Sequence, residues 1–240
     1  MGDVTDVNQS LGPQPSRPRG RPALPLGRIL AAAVELVDEQ GGDALSMRSL
    51  AQRLQSGTAT LYRHFSNRSE LVAMVVDHIL GEVDVDAQAV TELPWQEACV
   101  SLAQHMFTAL SRHGNVASLL VDYTPMGPHA LANRELCLSV LLDNGFAPAA
   151  AARAYAILAR YALGFAIQFS GSTSAIAEQD AQGSAAFHQL DPSRYPATVA
   201  VADELPVPLE EEFTFGLQLI VAGLEHFTAR RGVLGVRSSC

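Results

Sequence analysis

Apolar positions along this chain recur at intervals of three and four, the spacing that places them on one face of a helix. Ile29, Leu30, Ala33, Leu36 and Val37 form such a stripe, which predicts an amphipathic helix over Leu26–Gln40 stopped by Gly41-Gly42. A shorter stripe of Met47, Leu50, Ala51 and Leu54 follows Ser46, whose hydroxyl can accept from the free N–H groups of a helix start. Gln55-Ser56-Gly57 interrupts it, with Gly57 as the permissive residue of a tight turn and Thr58 as the next cap. Beyond the turn, Leu61 and Phe65 point inward, while Thr58, Ala59, Thr60, Tyr62, Arg63 and His64 form the other face. Asn67-Arg-Ser-Glu70 has the pattern of a capping box and opens a helix from Arg68 to about Glu82.

Val83 to Leu93 reads as an acidic connector. Trp95 to His113 is helical, with Trp95, Cys99, Leu102, Met106 and Leu110 close to one stripe. Pro125 and Pro128 bracket a break, after which Leu131 to Asn144 forms a helix stopped by Gly145. Ala149 to Gln168 is a long alanine-rich helix, whose small side chains let a neighbouring helix approach closely. Residues 170–208 are rich in Ser, Ala, Gly, Asp and Pro and read as a long mobile loop. Leu209 to Ala229 is a final helix with Phe213, Leu217, Ile220, Val221 and Leu224 on its apolar face. That stripe is too apolar to face water, so Phe213, Leu217, Ile220 and Leu224 are candidate dimer-interface residues. No internal repeat and no strand-like alternation stands out, and the fold class expected is all-α.

The two short helices joined by a turn are the pattern of a helix-turn-helix, whose second helix lies in the major groove of DNA. An ordinary helical hairpin would share the apolar spacing, but the flanking helices complete a small DNA-binding unit. Net charge first argues the other way, since the chain carries −9. Its distribution removes the conflict. Residues 17–68 hold eight arginines against Glu35, Asp38, Glu39 and Asp43, a local +4, while residues 1–16 carry −2 and residues 69–240 carry −11. Basic charge gathered on one module is the electrostatic footprint of nucleic-acid binding. All 16 basic residues are arginine, which reads as compositional bias.

Residues 1–23 lack apolar periodicity and hold four prolines, the composition of a disordered arm. Within it, Pro18-Arg-Gly-Arg-Pro22 resembles an AT-hook, with Arg17, Arg19 and Arg21 able to reach a narrow A·T minor groove. A basic tail on phosphates is the second reading of the same residues, and the sequence leaves both open.

Other function classes lack their motifs. Without lysine there is no Walker A sequence, and GxGxxG, GxSxG and HExxH are absent. Cys99, Cys137 and Cys240 are odd in number with no CxxC pair, which argues against a disulfide framework or a zinc site. His64, His78, His105, His113, His129, His188 and His226 are scattered singly. No charge-free apolar run approaches the length of a membrane span, and the polar, acidic start is not a secretory signal, so a cytoplasmic location is expected. The chain is expected to bind rather than to catalyse, with no cofactor and no metal.

Leu45-Ser-Met-Arg-Ser-Leu-Ala-Gln-Arg-Leu54, Gly57-Thr-Ala-Thr-Leu-Tyr-Arg-His-Phe65 and Asn67-Arg-Ser-Glu-Leu71 closely resemble the TetR family of bacterial transcriptional repressors. Pro94-Trp95-Gln96, Asp143-Asn144-Gly145-Phe146 and the run from Phe215 to Glu225 resemble the ligand-binding region of its tetracycline repressor branch. Beyond the arm at 1–23, the resemblance implies a helix-turn-helix domain at 24–82 and an effector-binding and dimerisation domain at 83–240. It further implies a homodimer on a palindromic operator, released by a small-molecule effector, with the 149–168 and final helices forming a four-helix interface. Ser46, Arg48, Thr58, Ala59, Thr60, Tyr62, Arg63, His64 and Arg68 are the implied DNA contacts beside the arm. Arg48 and Tyr62 would hold phosphates, and Thr58, Ala59, Thr60 and Arg63 would face bases. His64, Met106, Leu120, Tyr123, Cys137, Phe165 and Gln168 are the implied cavity lining.

Departures from that branch bear on the effector. Its drug–magnesium chelate is held by a histidine in an HLGTRP-like run, but the matching run here is Leu120-Val-Asp-Tyr-Thr-Pro125. Leu120 stands at the histidine, Thr124 at the arginine and Cys137 at a drug-contacting glutamine, while His64 persists. The same architecture with a different, largely apolar or aromatic effector and no metal chelate is expected. The rivals are an effector-independent, AT-hook-assisted DNA-binding factor and an enzyme on a borrowed fold.

Overall fold

The computed structural model describes residues 24–82, 85–120, 123–168 and 182–235. These hold helices and turns and no strand. The N-terminal part comprises α1 (Leu26–Gln40), α2 (Met47–Arg53), α3 (Thr58–Leu61) and α4 (Arg68–Leu80). The stripe expected on α1 is buried, and Gly41 ends the helix at φ +84°, a conformation that favours glycine. Ser46 caps α2: its Oγ accepts from the Ser49 N–H at 3.1 Å, and the Ser49 Oγ accepts from the Ser46 N–H at 3.0 Å. Leu61 and Phe65 are buried, as the periodicity requires.

Three local expectations need correction. The left-handed residue of the turn is Gln55 (φ +49°), while Gly57 is extended and caps α3 itself, with Thr58 the first helical residue. The Ser56 N–H reaches the Ala51 carbonyl (2.9 Å) and the Gln55 N–H the Gln52 carbonyl (3.1 Å), a Schellman closure of α2 that needs the left-handed residue two positions before Gly57. Regular helix then stops at Leu61, and Tyr62 to His64 continue as turns. The box at Asn67 is half made. Asn67 Oδ1 accepts from the Glu70 N–H (2.9 Å), but the Glu70 carboxylate turns to the Ser66 N–H (2.6 Å), a bond that holds it below the usual carboxylate range.

The larger part comprises α5 (Ala87–Glu92), α6 (Trp95–Ser111), α7 (Gly114–Ala117), α8 (Pro128–Asp143), α9 (Pro148–Gln168), α10 (182–188), α11 (Pro196–Ala200) and α12 (Leu209–Gly235). α6, α8, α9 and α12 pack around a continuous apolar core. Helix α5 lies in the expected connector, because Asp86 accepts from the Gln88 and Ala89 N–H groups and Val90 has a buried seat. α8 begins three residues earlier than its apolar spacing suggests, since Pro128 suits the first helical position. The stretch read as one mobile loop contains α10, α11 and a 3-10 turn at Ala202–Glu204; its residues 170–181 lie outside the described residues.

The assignment of α12 also changes. Phe213 and Leu217 are not available to a partner: they are buried inside this chain, at 2% and 0% exposure. Phe213 stacks on Phe107 at 4.1 Å between ring centroids and meets Tyr161 and Phe165 at 5.3 and 5.5 Å. Ile220 and Leu224 are half-buried against the same core. Large apolar side chains remain exposed on the opposite side of the helix, with Phe215 at 63% and Leu219 at 59%. α12 thus carries large apolar side chains on two sides, and one stripe of spacing shows only one of them.

Candidate functional site: an exposed helix-turn-helix face and an internal cavity

The outward face of the helix-turn-helix is built as its sequence implies. Thr58 and Ala59 open α3 exposed, Thr60 is half-buried, and Tyr62 is 56% exposed beside the exposed Arg63. Arg48 projects from α2, and neither it nor Arg63 forms an ion pair among the described residues. Two arginines of the module are turned to structural work. Arg53 bridges α2 to α1 through Glu39 (2.6 Å) and Glu35 (3.1 Å), and its hydrogen bond holds the Glu39 carboxyl below the usual range. Arg68 donates from Nε to the Leu45 carbonyl (2.7 Å) and from Nη2 to the Gly42 carbonyl (3.0 Å), which ties α4 to the turn before α2. The Ser46 hydroxyl is likewise engaged in its cap. Arg17, Arg19 and Arg21 lie outside the described residues.

Behind this module α6, α8 and α9 line a partly open cavity of about 590 Å³, within the range of small-molecule sites. Four of the expected lining residues face it: Met106, Leu120, Tyr123 and Cys137. Three do not. His64 is half-buried beside Phe65 at the end of the helix-turn-helix and does not reach the cavity. Phe165 is not among the lining residues and packs instead on Tyr161 and Phe213. Gln168 is exposed at the end of α9. Tyr155, Ala159, Asn133 and Arg134 line the cavity and escaped the sequence reading, although Tyr155, Ala159 and Leu163 share a helical face.

The wall is mostly apolar with a few polar groups. Cys99 and Cys137 both line it as free thiols. A hydrogen bond with Cys137, with burial added, pushes the Cys99 thiol far up, so it stays protonated. Leu120 is buried and lines the cavity, and no group of three His, Cys, Asp or Glu suited to a metal exists among the described residues. α9 is long and apolar enough to cross a membrane by length and composition, but it carries Arg153 and Arg160 and walls the cavity.

The cavity wall is joined to the DNA-facing module. Asp77 of α4, the one buried charged residue among those described, accepts from the backbone N–H groups of His129 (3.4 Å) and Ala130 (3.0 Å) at the start of α8. A Cβ at Gly127 would collide with the Asp77 carboxyl, so glycine permits the approach. Asn133 of α8 donates to the Leu80 carbonyl at 3.2 Å. A second junction joins α7 to α1, where His113 Nδ1 meets Asp38 at 2.6 Å.

Residues 29–75 match the family model described as bacterial regulatory proteins, tetR family, and residues 91–228 match the tetracyclin repressor-like C-terminal domain. The HTH-type transcriptional repressor DrrR1 of Streptomyces coeruleorubidus is 27% identical over 96% of this chain and 88% of its own length. A class G tetracycline repressor protein from Vibrio anguillarum is 26% identical over 85% and 94%. ActR from Streptomyces coelicolor, solved in complex with actinorhodin, superposes with a TM-score of 0.73 at 28% identity, covering 85% of this chain and 96% of that one.

Proposed function

Because this chain belongs to the TetR family and is therefore a transcriptional repressor with a ligand-binding C-terminal domain, not an enzyme, we propose that it acts as a homodimer on a palindromic operator and is released by an aromatic effector held in the α6–α8–α9 cavity. Residues 24–82 bind DNA in the cytoplasm, and residues 83–240 bind the effector and the second subunit. The observation that supports this most is a ligand-sized cavity whose wall is joined, through Asp77, to the helix that follows the helix-turn-helix. ActR holds actinorhodin within the same fold, and an aromatic occupant suits a cavity walled by Leu102, Met106, Leu163 and Tyr155.

Footprinting tests the reading. It should show a discrete two-fold site with half-sites about one helical turn, roughly 10 bp, apart. An aromatic compound panel should erase the footprint, whereas tetracycline with magnesium should not, since Leu120 offers no ligand to a metal. Diffuse protection that no compound relieves would favour the effector-independent, AT-hook-assisted factor instead.

The DNA-facing side chains divide by chemistry. Arg48 serves a phosphate, so Arg48→Ala should weaken all sequences about equally and flatten the salt dependence by about one unit of slope. Thr60 and Arg63 serve bases, so substituting either should change which operator bases are tolerated, by about 1–3 kcal/mol per base. Binding to operators with single-base changes, measured over a salt series, separates the two. A shift in base preference from Arg48→Ala, with none from Arg63→Ala, would reverse the assignment.

A further inference from the structure

The effector reading leaves the ligand's charge open, and the cavity carries a signal about it. Two guanidinium groups line the mostly apolar wall, Arg134 from α8 and Arg160 from α9, and no carboxylate lines it among the described residues. Arg134 is half-buried and held in place. Its Nε donates to the Tyr155 hydroxyl (3.2 Å), its Nη2 to the Pro125 carbonyl (2.9 Å), and its Nη1 to the Met126 sulfur (3.5 Å). Its Cζ lies 5.6 Å from the Tyr155 ring centroid. Every one of these partners is neutral. They orient the guanidinium without cancelling its charge. The Tyr155 hydroxyl accepts from Arg134, and its own proton has no described acceptor. Arg160, more exposed, forms no hydrogen bond or ion pair among the described residues. A partly desolvated, pre-oriented cation beside a free hydroxyl donor is a seat for an anion.

Resting on the effector reading, we propose that the effector is an aromatic acid. Its carboxylate or equivalent anion docks on Arg134 and the Tyr155 hydroxyl, with Arg160 as a second, mobile cation. Its rings lie among Leu102, Met106, Leu120 and Leu163. The anion supplies the counter-charge that Arg134 lacks, and the apolar wall supplies affinity by burial.

Two probes of matched shape test this: anionic 1-anilinonaphthalene-8-sulfonate and its uncharged parent N-phenyl-1-naphthylamine. Fluorescence titration of the full-length protein should show tighter binding of the sulfonate, by roughly ten- to hundredfold, as a charge-assisted hydrogen bond supplies. Arg134→Met should remove most of that preference. Arg134→Lys should retain part of it, Arg160→Met should lose a smaller part, and Arg153→Met, outside the cavity, should change nothing. Circular dichroism checks that each variant is folded. Equal affinity for the two probes, or a preference that survives both Arg134→Met and Arg160→Met, would overturn the proposal. If the neutral probe alone binds and displaces operator DNA, the effector reading stands and only the acid is lost. If neither probe binds, both fall.

Discussion

Phe215→Asp or Leu219→Asp is expected to give a folded monomer that no longer holds its operator. Both side chains are more than half exposed on α12, and Ile157 of α9 is a further large apolar residue, 49% exposed. Exposed large apolar side chains on α9 and α12 suit the second subunit that the proposed function requires. An aspartate there would have to be desolvated in the dimer but would lie in water in the monomer, so the cost falls on association alone. A monomer reads one half-site. Specific binding exceeds non-specific binding by about 4–10 kcal/mol, so reading only half the bases should lower operator affinity on the order of a hundredfold or more. Light scattering after size exclusion and an operator shift assay read the two effects. Phe213→Asp should behave differently. That side chain lies in the stack with Phe107 and Tyr161, so its replacement should unfold the domain. Gly216 sits where α12 meets the Tyr161 hydroxyl, which bonds the Glu212 and Phe213 carbonyls at 3.2 and 3.1 Å. A dimer that survived both Phe215→Asp and Leu219→Asp would remove this face from the interface.

That contrast shows where sequence reading reaches and where it stops. Helix α1, the α2 cap at Ser46 and the inward pair Leu61 and Phe65 were legible because each follows from local spacing or a local hydrogen bond. The left-handed residue at Gln55 was not, because glycine three positions after Leu54 is the stronger cue and only the closing bonds of α2 fix the position. On α12 the stripe through Phe213 and Leu217 was real, but periodicity cannot tell an internal neighbour from a second chain. The cavity was half legible for the same reason. Met106 lies on a stripe and Cys137 came with the family resemblance, whereas Arg134 and Asn133 look like ordinary polar surface positions until α9 is placed opposite them. Phe165 failed because an aromatic residue on a long apolar helix has two faces to choose from.

His64 is the correction with the widest consequence, since a residue shared by the DNA face and the cavity would have coupled them directly. With His64 outside the cavity lining, we propose that the α4–α8 junction carries that role. Asp77→Ala is therefore expected to leave operator recognition within about twofold of the parent and to abolish most effector-driven release. The carboxylate accepts from two N–H groups at the first turn of α8, where the helix dipole also favours a negative charge. Removing it leaves both donors unpaired, with the Ala130 N–H buried, at a cost of about 1–3 kcal/mol in stability. It also removes one of the ties between α4 and α8, the helix that carries Arg134 and Cys137, and leaves the Asn133–Leu80 hydrogen bond as the other. Allosteric coupling of about 1–3 kcal/mol changes DNA affinity roughly 5- to 150-fold, and without the junction that factor should fall toward one. Gly127→Ala reaches the same junction from the other side, because its new Cβ would displace the Asp77 carboxyl. Operator affinity measured with and without a saturating cavity ligand gives the factor for each variant, and thermal denaturation gives the stability cost. Release that remained full in both variants would move the coupling to the α1–α7 junction, where His113 meets Asp38.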